Sequence, residues 1–82
     1  MKYTVAEFMF KAEKAWYHEG KIHFALSDGK EVSFPVALNP RLSRATKEQL
    51  ELIEIVCNGT GLHWPELDED LSIIGILEGR FG

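Results

Sequence analysis

The chain has 82 residues, 45% hydrophobic and 11% aromatic, and carries a formal net charge of −4. This composition is globular, and a chain of this length buries roughly 60–65% of its unfolded surface, enough for one modest core. A single cysteine excludes an intramolecular disulfide, and no run approaches the ~18 apolar residues of a membrane span, so a reduced, cytoplasmic domain is expected.

Charge is unevenly spread. Up to Lys47, eight basic and five acidic residues give a balance of +3; from Glu48 to Glu78, eight acids stand without a Lys or Arg, a balance of −8. The acidic half is a poor surface for phosphate backbones, so nucleic acid is not expected as a direct partner. The polarity suits head-to-tail self-contact or a basic partner, but such an asymmetry is more often plain solvated surface.

The first dozen residues contain Thr4-x-x-Glu7, a capping box, followed by Val5, Phe8, Met9 and Ala12 at helical spacing. They predict an N-terminal helix, although "YTVAEFMF" also reads as the start of a strand. Next, "KAWYHEGK" is a strand closed by a tight Glu19-Gly20 turn. A two-residue loop there sets Tyr17 against Ile22, Ala15 against Phe24, and Trp16 against His23 on the opposite face. That second face also carries Lys14, His18, Lys21, Ala25 and Ser33, so it is polar with one large aromatic on it.

"KIHFALSDGKEVSFPV" alternates on either side of Asp28-Gly29, the signal of a second hairpin. A two-residue loop would mix core and solvent residues on one face. A three-residue loop from Asp28 to Lys30 predicts Leu26 opposite Val32, Phe24 opposite Phe34 and Ile22 opposite Val36.

"LNPRLSRAT" reads as a loop or short helical turn. Thr46 with Gln49 is a second capping box, and it predicts a helix from Lys47 to about Leu52 with Ala45 and Leu50 as its staple. "IEIVC" is β-branched enough for a strand, "NGTG" marks a turn, and "LHW" returns, pairing Ile55 with Leu62, Ile53 with Trp64 and Glu54 with His63. This register places Cys57 in the strand on the core face. Ser72 is a good N-cap for "IIGIL", docked through Ile73, Ile76 and Leu77, with Gly79 closing it. The fold class expected is α+β: a small antiparallel sheet of about five strands (hairpins 12–27/30–36 and 53–57/61–64) with two or three short helices, in one domain over 1–82.

Three stretches, "AWYHEGKIHFALSDGKEVSFPV", "NPRLSRATKEQ" and "GLHWPELDEDLSIIGILEG", together resemble the DUF2442 family, small bacterial domains of unknown function, and specifically its branch ending in HWPxLDEDxSxxGxL. The resemblance covers about residues 12–79. Asn39 departs from it, since related sequences commonly place an aromatic before the proline of "PRL". The resemblance implies a compact α+β fold and a bacterial, cytoplasmic setting, and it supplies no activity. Members are often encoded beside another small domain of unknown function, which implies a two-protein module of toxin–antitoxin type.

His63, Asp68, Glu69 and Asp70 are the one cluster of acid–base or metal-ligand types close together in sequence. They are the candidate site for a divalent metal or for acid–base catalysis. Against that, no H-E-x-x-H, calcium loop or Cys–His set is present. His63 has a cross-strand partner in Glu54, and the three acids approach a helix N-terminus, where negative charge is favoured. Structure therefore outweighs chemistry here. Ser43 and Ser72 have no base nearby in sequence, and "GTG" does not open a helix as a phosphate loop does. No enzyme activity and no cofactor are expected. What remains is a protein-interaction role, by self-association or with a small protein partner and not with a membrane. Trp16, His18 and His23 on the outer sheet face and the basic pair Arg41 and Arg44 are its candidate contacts.

Overall fold

The computed structural model describes residues 10–82, and the expected N-terminal helix lies outside them except for residues 10–12, which are not helical and of which Ala12 opens a strand. β1 (Ala12–His18), β2 (Lys21–Leu26) and β3 (Glu31–Pro35) form one antiparallel meander. β4 (Glu54–Val56), β5 (Gly61–Trp64) and β6 (Glu69–Ser72) form a second. Three short helices accompany them among the described residues: α1 (Pro40–Ser43), α2 (Lys47–Glu51) and α3 (Ile73–Leu77). The α+β class is as expected. Its strands number six and divide into two three-stranded sheets, which adjoin where β1 runs beside β4.

The β1–β2 turn uses two residues, Glu19 at φ 47° and Gly20 at φ 83°, both left-handed as a type I′ turn requires. Tyr17 therefore pairs with Ile22, Ala15 with Phe24, and Trp16 with His23, the expected register. An irregularity between Ala12 and Lys14 brings Ala12 back to the core side, where it is buried.

The β2–β3 register differs from expectation by two residues. Ile22 faces Phe34 and Phe24 faces Val32, where Val36 and Phe34 were expected. The loop does have three residues, but they are Ser27, Asp28 and Gly29. The Gly29 N–H donates to Leu26 O (2.9 Å) and the Leu26 N–H to Lys30 O (2.8 Å). A tight turn followed by one left-handed residue, Gly29 at φ 93°, is the favoured form of a three-residue loop. The Asp28 carboxylate accepts from the Lys30 N–H at 3.0 Å and holds the bend.

Pro35 suits the outer edge. Phe34 pairs with Ile22 and the Val36 N–H donates to Gly20 O, so the intervening Pro35 nitrogen points away from β2, where no ladder bond is lost.

β4 and β5 pair as expected, Glu54 with His63 and Ile55 with Leu62. Cys57 is the correction. The strand stops at Val56, and Cys57–Gly59 form a 3₁₀ turn with three successive left-handed residues, at φ 54°, 56° and 93°. The thiol is exposed, not on the core face. The Asn-Gly pair needs this wider turn because Gly59 is buried against β1's approach. A Cβ on Gly59 would stand 2.9 Å from Lys11 Cβ and 3.3 Å from Ala12 O. Gly59→Ala is therefore expected to lower stability by about 1–3 kcal/mol. A urea midpoint equal to wild type would show that the turn can be rebuilt without its left-handed residue.

After Trp64 the chain turns back through 65–68, with Asp68 at φ 50°, and Glu69 and Asp70 begin a strand, β6, that the sequence did not suggest and that leads directly into α3. The Ser72 hydroxyl then accepts from the Gly75 N–H at 2.8 Å to cap α3. At the other end Gly79 (φ 86°) donates to Ile76 O and Arg80 to Gly75 O, the paired bonds of a Schellman stop. α2 has its full capping box: Thr46 Oγ1 accepts from the Gln49 N–H (3.2 Å) and the Thr46 N–H donates to Gln49 Oε1 (3.0 Å).

One core gathers both sheets and all three helices: Ile22, Phe24 and Phe34 with Leu62, Trp64 and Leu71, closed by Leu42, Leu50, Ile73 and Ile76.

Candidate functional site

The register of the first sheet lays its outward side chains out as a three-by-three grid. One row is His18, Lys21 and Pro35; the middle row is Trp16, His23 and Ser33; the last is Lys14, Ala25 and Glu31. Inward positions on the same strands hold Ile22, Phe24 and Phe34, so the outer face is free of core duties. At its centre the Trp16 and His23 rings stack, with centroids 5.4 Å apart and planes 5° from parallel. The His18 ring lies 6.4 Å from that of His23, tilted by 54°. His23 Nε2 is sealed from solvent and has no hydrogen-bond partner among the described residues. Trp16, His18 and His23 are thus brought together. The flanking Lys14 and Lys21 are exposed.

Arg41 and Arg44 are placed differently. Asn39 caps α1 and Pro40 occupies its first turn, which turns the Arg41 side chain toward the bend between β5 and β6. Its Nη1 donates to Leu67 O (3.0 Å) and Asp68 O (3.1 Å), and its Nε lies 4.0 Å from Glu69 Oε1. Arg41 therefore braces a turn. Arg44 sits at the C-cap of α1 and is exposed.

The acidic cluster is divided by strand alternation. Asp70 faces outward beside His63, its Oδ1 2.7 Å from His63 Nδ1. Glu54, paired with His63 from the other side, completes an outward row of Glu54, His63 and Asp70. Glu69 points the other way, to Asn39 and Arg41, while Asp68 occupies the turn. Among the described residues no three His, Cys, Asp or Glu side chains are grouped to hold a metal ion. What the geometry does make is an Asp–His pair, in which the carboxylate orients the imidazole through Nδ1.

Sequence reasoning missed Asn39 as a hub. It is fully buried, and both ends of its amide are engaged. Oδ1 accepts from the Arg41 and Leu42 N–H groups, each at 2.9 Å. Nδ2 donates to Glu69 Oε2 at 2.7 Å and to Phe81 O. An Asn-Pro step opening a helix was the available signal.

No helix among the described residues is long and apolar enough to cross a membrane. The chain is similar in structure to a protein of unknown function from Rhodospirillum rubrum, solved by crystallography, at 39% identity and a TM-score of 0.84, over 89% of this chain and 90% of that one. It is likewise similar to an uncharacterized protein from Chromobacterium violaceum, solved by NMR, at 38% identity and a TM-score of 0.78, over 88% of this chain and 68% of that one. No curated protein matches. The sequence profile of DUF2442, described as a protein of unknown function, matches residues 12–82, and the chain belongs to that family.

Proposed function

We propose that this domain is a non-catalytic interaction module of the bacterial cytoplasm, one member of a two-protein system of toxin–antitoxin type. It meets a small protein partner or a second copy through the outer face of the first sheet. The observation that carries this reading is the Trp16–His23 stack at the centre of an otherwise polar face. Tryptophan is the residue type most enriched among binding hot spots, and here its ring is already ordered by the stack, so docking costs little further side-chain entropy. Lys14, His18 and Lys21 around it provide a polar, cationic rim that would favour an acidic partner surface. The solved relatives come from two bacteria, in keeping with the setting proposed.

The test is co-expression with the product of the adjacent gene, followed by affinity measurement for wild type and Trp16→Ala. Loss of roughly tenfold or more in affinity is expected from a hot-spot truncation, with circular dichroism unchanged because the face is outside the core. Equal affinity for the two proteins would move the interface elsewhere. A monomeric chain that binds no product of a neighbouring gene would end the proposal.

A further inference from the structure

His23 combines two properties that together ask for a ligand. Its ring is held in one orientation by the stack on Trp16, and its Nε2 is buried without a hydrogen-bond partner among the described residues. A buried imidazole nitrogen is ordinarily bonded, so an orphaned one calls for an explanation. The second imidazole, His18, has its ring centre 6.4 Å away. Two imidazoles sharing one ion at metal–nitrogen distances of about 2.0–2.1 Å have ring centres roughly 5–6.5 Å apart, so this separation is within reach. The His18 side chain is 67% exposed, and its Nε2 lies 3.3 Å from Glu19 Oε1, a contact that the ion would replace.

We propose that His18 and His23 form a two-histidine site for a divalent d-block ion of borderline softness: zinc, nickel or copper(II). The two imidazoles define the site. Water or a partner's side chain takes the remaining positions. Imidazole nitrogen suits these ions, whereas magnesium and calcium prefer all-oxygen ligand sets. With two nitrogens supplied by the protein the site binds more weakly than a closed four-ligand site, and an ion reaches His23 Nε2 only when its cover opens. The proposal stands on the histidine geometry alone and does not depend on the interaction role.

The test uses the full chain with the metal salts alone. Nickel or copper(II) bound to His23 sits against the ring stacked on Trp16, so it is expected to quench Trp16 fluorescence in a saturable, one-to-one manner. Trp64, the second of the two tryptophans, is buried in the core and serves as the internal reference. Zinc binding is read by calorimetry. His18→Gln, at an exposed position, should weaken binding by about tenfold with the fold intact, and His23→Gln by more. Trp16→Phe should keep the calorimetric binding and lose the quench. His63→Gln and Cys57→Ser should change neither. Saturation only near millimolar metal, undiminished binding by His18→Gln and His23→Gln, or a quench abolished by His63→Gln or Cys57→Ser would each overturn the assignment. None of these outcomes bears on partner binding through Trp16, which the affinity comparison of wild type and Trp16→Ala addresses separately.

Discussion

Trp64→Ala is expected to destabilise the domain by about 3–5 kcal/mol, a large part of the roughly 4–12 kcal/mol that a chain of this size possesses. Trp64 is 0% exposed, on the central strand of the second sheet, and it is the largest of the fully buried side chains. Its removal leaves a cavity in the core that both sheets share. The variant should be largely unfolded at mild denaturant concentrations, where wild type is native. Trp64→Phe separates packing from polarity. The indole N–H has no acceptor among the described residues, and leaving such a donor buried costs about 1–3 kcal/mol. Phenylalanine removes that donor while keeping most of the ring, so a loss under about 2 kcal/mol is expected. Urea unfolding followed through Trp16 fluorescence and far-ultraviolet dichroism measures both. If phenylalanine proved as damaging as alanine, the indole N–H would have an acceptor in solution, such as an internal water.

Local chemistry was the legible part of this fold. Thr46 with Gln49, Ser72 and Gly79 act through atoms within four residues of one another, so their caps could be read directly. The same holds for the Glu19-Gly20 turn, which fixes the Trp16–His23 pairing and with it the centre of the candidate face. The β2–β3 register was not legible, because a slip of two residues keeps every side chain on its own face and alternation cannot detect it. Cys57 was misplaced for a related reason. Parity assigns a face only while the strand continues, and the Asn58-Gly59 turn ends it one residue earlier. β6 was hidden by its acids. A strand is recognised by apolar residues on its inner face, yet Glu69 takes an inward position beside Leu71. An inward carboxylate is tolerated only with dedicated partners, and these come from residue 39, thirty positions away.

That distant partnership makes Asn39 the second large sensitivity of the molecule. Its amide joins the start of α1, the start of β6 and the backbone of Phe81, whose ring packs 5.1 Å from Phe34. Asn39→Ala removes the helix cap and the donor to two part-buried acceptors together, and a loss of about 2–4 kcal/mol is expected. Asn39→Asp is the sharper experiment. Aspartate is as good an N-cap as asparagine, so the bonds from the Arg41 and Leu42 N–H groups survive. On the other side, however, an oxygen replaces Nδ2, facing Glu69 Oε2 at 2.7 Å and the carbonyl of Phe81. Two carboxylates in that contact cannot both remain charged and buried, so the aspartate variant should be at least as destabilised as the alanine one despite its near-identical shape. Adding Glu69→Gln to Asn39→Asp restores an amide–carboxylate pair with its direction reversed. The double variant should recover about 1–2 kcal/mol over Asn39→Asp, while Glu69→Gln alone in the wild-type background gains nothing. Denaturant midpoints of the four proteins give the coupling directly. Additive losses would mean that Asn39 acts only as a cap and that Glu69 is held by Arg41.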